Sequence, residues 1–189
     1  MNYAGIIYDD IANGPGVRVT LFVQGCFFKC PGCQNPETWD DKGGQPFTQE
    51  ILDEIFKYIE ETPFVRGLTI SGGEPLLYFK NLETVHDIVK QFRRKFKDTK
   101  DIWIFTGSTW KDIIRLHHGR VMRGKQIHET GQMLIETLGM VDVIVEGPFI
   151  SSLKDPTLKF RGSSNQHIID LKKTFDLLEN TYVEWKEDE

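Results

Sequence analysis

The sequence predicts an α/β protein whose parallel strands form an open, partial β/α barrel of about five or six strands. Segments with strand and helix patterns alternate along the 189 residues, an order typical of right-handed β-α-β units. A complete eight-stranded barrel needs about 250 residues, so this chain is too short to close one. Loops of unusual composition follow four of the predicted strands, and in parallel sheets such loops lie at one edge.

The composition is that of one globular unit and excludes several classes of protein. Charged residues make up 27% and hydrophobic residues 39% of the chain, which is ordinary for globular proteins. We expect a single domain over 1–189, with its core at about 10–170 and a charged C-terminal tail at about 180–189. The formal charge of -5 argues against nucleic-acid binding. Without a signal-peptide pattern or a long apolar run, no membrane association is expected, and the predicted location is cytoplasmic.

The predicted elements follow from local patterns taken along the chain. Alternating apolar residues predict a strand at 17–23. A helix at 49–61 begins after Thr48 and has an apolar stripe at helical spacing. A short strand at 68–70 precedes a second helix, for which Asn81 is the predicted N-cap. The remaining predictions are strands at 101–106 and 142–146, helices at about 108–117 and 127–138, a basic loop at 118–126, a long polar connection into Ile168 and Ile169, and a short final helix with a frayed tail.

All three cysteines lie in one stretch of eight residues directly after the strand at 17–23. Cys26, Cys30 and Cys33 have the spacing C-x3-C-x2-C. Clustered cysteines in a cytosolic chain indicate metal or redox chemistry rather than a disulfide. A structural zinc site needs four protein ligands, so zinc stays open only if a distant histidine completes the set. Iron–sulfur cubanes normally have four cysteine ligands; three cysteines therefore indicate an iron atom that a substrate or cofactor completes.

A second motif, Ser-Gly-Gly-Glu-Pro at 71–75, follows the strand at 68–70. In this order and at strand ends, the two motifs resemble those of the radical S-adenosylmethionine (radical SAM) enzymes. The resemblance implies that Cys26, Cys30 and Cys33 are the ligands of a 4Fe-4S cluster. It also implies that S-adenosylmethionine (SAM) binds the remaining iron.

Seven stretches narrow the resemblance to the anaerobic ribonucleoside-triphosphate reductase-activating proteins, a group of glycyl-radical activases. They are 13–18, 30–33, 35–39, 44–48, 100–103, 142–147 and 161–166. The resemblance extends from the N-terminus to about residue 167 and implies an incomplete barrel of the radical SAM type. The chain departs from the compact members at 116–139, which is longer here and has no assigned role.

The resemblance implies an oxidoreductase that activates a glycyl-radical enzyme. The reduced cluster would cleave SAM to methionine and a 5′-deoxyadenosyl radical. That radical would remove hydrogen from a glycine in the large subunit of anaerobic ribonucleoside-triphosphate reductase. Reduced flavodoxin or a similar donor would supply the electron. No side chain is assigned as catalytic, because the cofactors carry the radical chemistry.

The resemblance also implies which residues contact SAM. The expected cofactor-binding residues are Gly32, Cys33, Gln34, Gly72, Gly73 and Glu74. The first three would line the adenine side through their backbone. The two glycines of the second motif would let the backbone approach the methionyl group closely, and the carboxylate of Glu74 would meet its ammonium group.

Four further polar residues and two alternative functions stay open from the sequence. Thr106 and Glu146 follow later strands, and are candidates for the ribose or amino acid part of SAM or for solvent-facing positions. Arg18 and Arg161 are candidates for the SAM carboxylate or for the surface that meets the reductase. The alternative functions are activation of another glycyl-radical enzyme, such as pyruvate formate-lyase, and a non-enzymatic metal-binding module.

Overall fold

The computed structural model of the chain describes residues 1–117, 125–174 and 181–187. Within these ranges the chain forms a mixed α/β fold around one seven-stranded sheet. The strands are β1 (Asn2–Asp10), β2 (Val17–Val23), β3 (Gln45–Pro46), β4 (Val65–Gly72), β5 (Asp101–Phe105), β6 (Val143–Glu146) and β7 (His167–Asp170). The helices are α1 (Gln49–Glu61), α2 (Phe79–Phe96), α3 (Trp110–His117) and α4 (Lys125–Leu138).

The sheet is open and only partly parallel. Its strand order is β3-β1-β2-β4-β5-β6-β7. The central strands β2, β4, β5 and β6 are parallel, whereas β1, β3 and β7 pair antiparallel at the edges. The predicted α/β alternation is confirmed, but the prediction of five or six parallel strands is wrong. The short turn between β1 and β2 permits only antiparallel pairing, and no α-helix lies in the connection from β6 to β7 at 147–166 to return the chain in parallel.

The two faces of the sheet have different partners. Val19 and Leu21 of β2 belong to the larger hydrophobic core, which also contains the buried side chains of the helices. The opposite face carries a smaller cluster around Trp103 and Val145, against which Trp185 packs. Alternation along each strand assigns successive side chains to these two faces. The loops at the carboxyl ends of the central strands therefore lie next to both clusters.

The helix boundaries confirm one predicted cap position and contradict another. The helix at 49–61 has the predicted bounds, and Thr48 precedes it in extended conformation, although its hydroxyl makes no capping hydrogen bond. The prediction that Asn81 caps α2 is wrong, since that helix begins at Phe79 after Tyr78. The Asn81 amide instead bonds to distant backbone carbonyls. A residue type that favours an N-cap is a local signal in the sequence. Here the Asn81 side chain makes long-range hydrogen bonds and does not cap the helix.

The described part of the C-terminal segment is docked and not frayed as predicted. The N–H of Trp185 donates to the Ile168 carbonyl at 2.8 Å, and that of Asp170 donates to the Val183 carbonyl at 2.9 Å. The short helix predicted within the last twenty residues does not appear at 170–174 or 181–187; residues 175–180 lie outside the described residues. So does the predicted basic loop up to residue 124; residues 125 and 126 belong to α4.

The helices within the described ranges are each too short or too polar to cross a bilayer.

Candidate functional site

The cysteine loop (residues 26–33) and the glycine loop (residues 72–75) lie side by side at the carboxyl ends of β2 and β4. The N–H of Gly73 donates to the Val23 carbonyl, and that of Glu74 donates to the Gly25 carbonyl, both at 2.8 Å. A Cβ atom at position 73 would lie 2.5 Å from the Gly25 oxygen. Only glycine allows this close approach. The fold therefore joins the backbone of the glycine loop to the residues that lead directly into the cysteine loop.

Asn81, in the first turn of α2, holds together the two chain segments that meet here. Its side chain is buried, and the amide Nδ2 donates to the Gln24 carbonyl at 2.9 Å and to the Glu74 carbonyl at 3.0 Å. The first turn of α2 thus gives one hydrogen bond to the glycine loop and one to the segment that leads into the cysteine loop. Sequence reasoning missed this role, because the carbonyl partner at Gln24 is 57 residues away.

The three thiols are free and half-buried. Burial raises the pKa of the Cys26 thiol, while hydrogen bonds from the backbone of Phe28 and Lys29 act to lower it. The N–H of Asn35 donates to the Cys33 sulfur at 3.4 Å. Such donors favour the thiolate, which is the form that binds metals and iron–sulfur clusters. The donor set of this loop therefore fits a cluster.

The zinc alternative needs a histidine to complete the set of protein ligands. In the part of the chain that the structure describes, no three or more His, Cys, Asp or Glu side chains form a metal-binding group, and this holds for the three thiols as well. His86 bonds to the Thr137 hydroxyl, and His167 bonds to Glu184. Neither histidine supplies the fourth ligand that structural zinc requires. Three thiols with no fourth protein ligand suit a cluster that another molecule completes.

The Glu74 carboxylate points into the protein. It is 0% exposed, and its Oε1 accepts the N–H groups of Leu76 and Leu77, each at 2.9 Å. Its Oε2 accepts the N–H of Gly107 at 2.9 Å, and the Thr106 hydroxyl lies 2.8 Å from Oε1. Burial raises the pKa of Glu74, and these hydrogen bonds oppose the shift. The side chain thus ties the glycine loop to the carboxyl end of β5, and an ammonium contact would require these bonds to break.

Two of the open candidates have internal partners in place of a ligand. Arg18 is fully buried; its Nε donates to the Thr69 hydroxyl at 2.7 Å, and its Nη2 lies 2.6 Å from Asp101. Burial lowers the pKa of the Arg18 guanidinium, and Asp101 acts to raise it. Glu146 accepts the N–H of Trp110 at 3.0 Å, at the start of α3, and burial raises its pKa. Both side chains are thus engaged by partners within the fold.

A cleft of about 430 Å³ opens beside the cysteine loop, on the sheet face that carries Trp103. Its lining includes the predicted site residues Cys33 and Gln34 and the open candidate Arg161. Strand-end side chains continue the wall: Phe22, Ser71 and Phe105. Aromatic and polar side chains both line this cleft, and small-molecule sites likewise combine apolar walls with polar groups that orient the ligand. Two of the six predicted cofactor-binding residues, Cys33 and Gln34, line the cleft. The other four do not: Gly32, Gly72, Gly73 and Glu74.

The connection between β6 and β7 (residues 147–166) packs directly on the cysteine loop. Gly32 has a φ of +76°, a conformation that favours glycine. A Cβ there would lie 3.5 Å from the Phe149 ring, and one at Gly162 would lie 3.1 Å from both that ring and the Gln34 amide. The Phe149 ring therefore packs between the cysteine loop and the Gly162 part of this connection. No sequence pattern singled it out.

Comparisons with known proteins agree with the donor chemistry of this site. A family model described as a 4Fe-4S single cluster domain matches residues 12–169. The following relatives are each named anaerobic ribonucleoside-triphosphate reductase-activating protein. That of Escherichia coli is 37% identical over 173 residues, covering 91% of this chain and 100% of its own. That of Enterobacteria phage T4 is 38% identical over 189 residues and covers both chains fully. That of Vibrio cholerae is 38% identical over 169 residues, covering 89% of this chain and 97% of its own.

Proposed function

The chain belongs to the family of the anaerobic ribonucleoside-triphosphate reductase-activating proteins, and we propose that it generates the glycyl radical of that reductase. The observation that carries the proposal is the junction of the two loops. The Gly-Gly-Glu-Pro turn binds Val23 and Gly25 through backbone hydrogen bonds, and the loop with the three free thiols begins at the next residue. Such an arrangement provides an incomplete cluster site beside a small-molecule cleft.

Cys26, Cys30 and Cys33 would hold the 4Fe-4S cluster, and SAM would complete it. Held there, the cluster and SAM would supply the radical chemistry by which a hydrogen atom is removed from a glycine of the reductase. Backbone N–H groups at residues 28, 29 and 35 would stabilise negative charge on the sulfur atoms. No acid or base side chain is needed for this chemistry.

The walls of the cleft would hold and orient SAM. Gly32, Cys33 and Gln34 would border the adenine, and Gly72 with Gly73 would present backbone to the methionyl end. Support comes from the lining by Cys33 and Gln34 and from Ser71, which leads into the glycine loop at the same wall. The contribution of Glu74 would be indirect: its bonds to the backbone at 76, 77 and 107 keep the glycine loop in place.

The open sheet would be the incomplete barrel of the radical SAM type. Four parallel strands place the functional loops at one edge, as such enzymes require. Reduced flavodoxin or a similar protein would supply the electron, and the protein would act in the cytoplasm.

Formation of 5′-deoxyadenosine tests the enzyme against the alternative of a passive metal-binding module. Protein reconstituted with iron and sulfide under anaerobic conditions is mixed with SAM and dithionite, and the products are separated by chromatography. We expect 5′-deoxyadenosine and methionine in equal amounts. The matched control is Cys30→Ser, which removes one cluster ligand and should abolish product. A fully loaded wild-type cluster that yields no 5′-deoxyadenosine would rule out the proposed chemistry.

A further inference from the structure

Arg161 lies in the wall of the cleft that also contains Cys33 and Gln34. Its Nη1 donates to the Gln166 carbonyl at 2.8 Å. The side chain of Gln166 in turn accepts the N–H of Gly162 at 2.8 Å. One end of the guanidinium is thus held by the 161–166 loop, which the hydrogen bond between Gly162 and Gln166 stabilises.

The positive charge of Arg161 is unpaired among the residues that the structure describes. Its Nε is buried and has no hydrogen-bond partner, and no carboxylate oxygen lies within 4.0 Å of the guanidinium. The acidic residue of the same wall, Asp155, instead accepts the N–H and the hydroxyl of Thr157. Other arginines do have acidic partners: Arg18, Arg66, Arg93 and Arg115. A partly buried cation without an anion is unfavourable unless a ligand completes it.

Phe160 directs Arg161 into this position. It has a φ of +56°, which is uncommon for a residue other than glycine. Its ring lies 5.8 Å from the Trp103 ring and 6.1 Å from the Trp185 ring. The aromatic packing stabilises the unusual backbone, and the next side chain then lines the cleft. Such strain is maintained when the surrounding structure determines it.

An unpaired guanidinium recognises carboxylates through parallel N–H donors. Of the groups in SAM, the carboxylate alone is anionic; the sulfonium and ammonium are cationic and would be repelled. Arg18, the other sequence candidate for this contact, is already paired with Asp101 in the interior. We infer that Arg161 binds the carboxylate of SAM and that Phe160 positions it. The inference rests on the proposed function, since it assigns one contact of the ligand proposed there.

Binding of SAM and of decarboxylated SAM to the cluster-loaded protein tests the inference. The cluster is kept oxidised so that no turnover occurs, and dissociation constants are measured by anaerobic equilibrium dialysis. Arg161→Gln should weaken SAM binding by about tenfold to a hundredfold, the usual effect of losing a charged hydrogen bond. It should leave the binding of decarboxylated SAM at the wild-type value. The affinity of Arg161→Lys for SAM should lie between those of the wild type and Arg161→Gln, because lysine keeps the charge without the planar donors.

Arg115→Gln is the matched control, because Arg115 is exposed on α3 and its acidic neighbour is Asp112 of the same helix. It should bind both compounds like the wild type. Equal weakening of both compounds by Arg161→Gln would overturn the inference, since the carboxylate would then not be the group recognised. Unchanged SAM binding with a loss of reductase activation would also overturn it and would place Arg161 at the partner surface. Wild-type protein that binds no SAM would overturn the proposed function together with the inference.

Discussion

Replacement of Glu74 by glutamine separates a structural role of this carboxylate from direct contact with a ligand. Glutamine has the same shape but exchanges one acceptor oxygen for an NH₂ donor. The Glu74 oxygens accept backbone N–H groups on both sides, two at Oε1 and one at Oε2. In either orientation, the NH₂ group of the glutamine would therefore face at least one backbone N–H. The less costly orientation retains Leu76 and Leu77 and leaves the Gly107 N–H without its acceptor.

The expected cost is the penalty for one buried N–H left unsatisfied, about 1–3 kcal/mol in the free energy of unfolding. The Thr106 hydroxyl can rotate and accept from the new amide, so it adds nothing to the cost. The glycine loop would remain in place, because the variant keeps the bonds to Leu76 and Leu77 and the loop is also held by Asn81 and by its own backbone bonds.

Urea denaturation of the cluster-free, reduced protein, followed by circular dichroism, measures this cost without interference from ligand. Glu83→Gln is the matched control, because Glu83 is exposed on α2. It should leave the free energy of unfolding unchanged. If Glu74→Gln were as stable as the wild type yet bound SAM much more weakly, the carboxylate would act on the ligand and its internal role would be refuted.

Three further substitutions test the supports of the site by the same denaturation measurement. Gly107→Ala places a Cβ 2.6 Å from the Phe28 ring, and we expect a loss of about 1–3 kcal/mol from overpacking with poorer cluster retention. Asn81→Leu removes the donor shared by the two loops and should cost about 1–3 kcal/mol; an unchanged value would contradict the junction. Trp185→Ala removes a ring 5.0 Å from that of Trp103 and should cost about 2 kcal/mol, given its partial exposure; a frayed segment would show no change.

Local patterns predicted the central elements, because their signals lie within each segment. The apolar stripe of α1 and the alternation in β2 need no information from elsewhere. β1 was missed because its pairing is irregular, with register shifts after Tyr3 and after Ile7. It also lies toward the edge of the sheet, where half-exposed positions weaken the apolar alternation.

The site was predicted as far as the two motifs go and no further. The cysteine spacing, the Gly-Gly-Glu-Pro motif and the seven matching stretches are properties of the sequence, and together they indicated the family. The environments of Arg18 and Arg161 could not be predicted from the sequence. Arg18 pairs with an aspartate 83 positions away, and Arg161 has no acidic partner in the described residues. The inward direction of Glu74 likewise depends on Gly107, 33 residues later. Such long-range contacts leave no periodic signal in the chain.

The electron paramagnetic resonance spectrum of anaerobic ribonucleoside-triphosphate reductase tests the central claim most directly. The reductase is incubated with the cluster-loaded protein, SAM and reductant, and in parallel with the Cys30→Ser variant. We expect a glycyl-radical doublet on the reductase in the first sample and none in the second. A fully loaded protein that produces no doublet on the reductase, but produces one on pyruvate formate-lyase, would contradict the proposed partner.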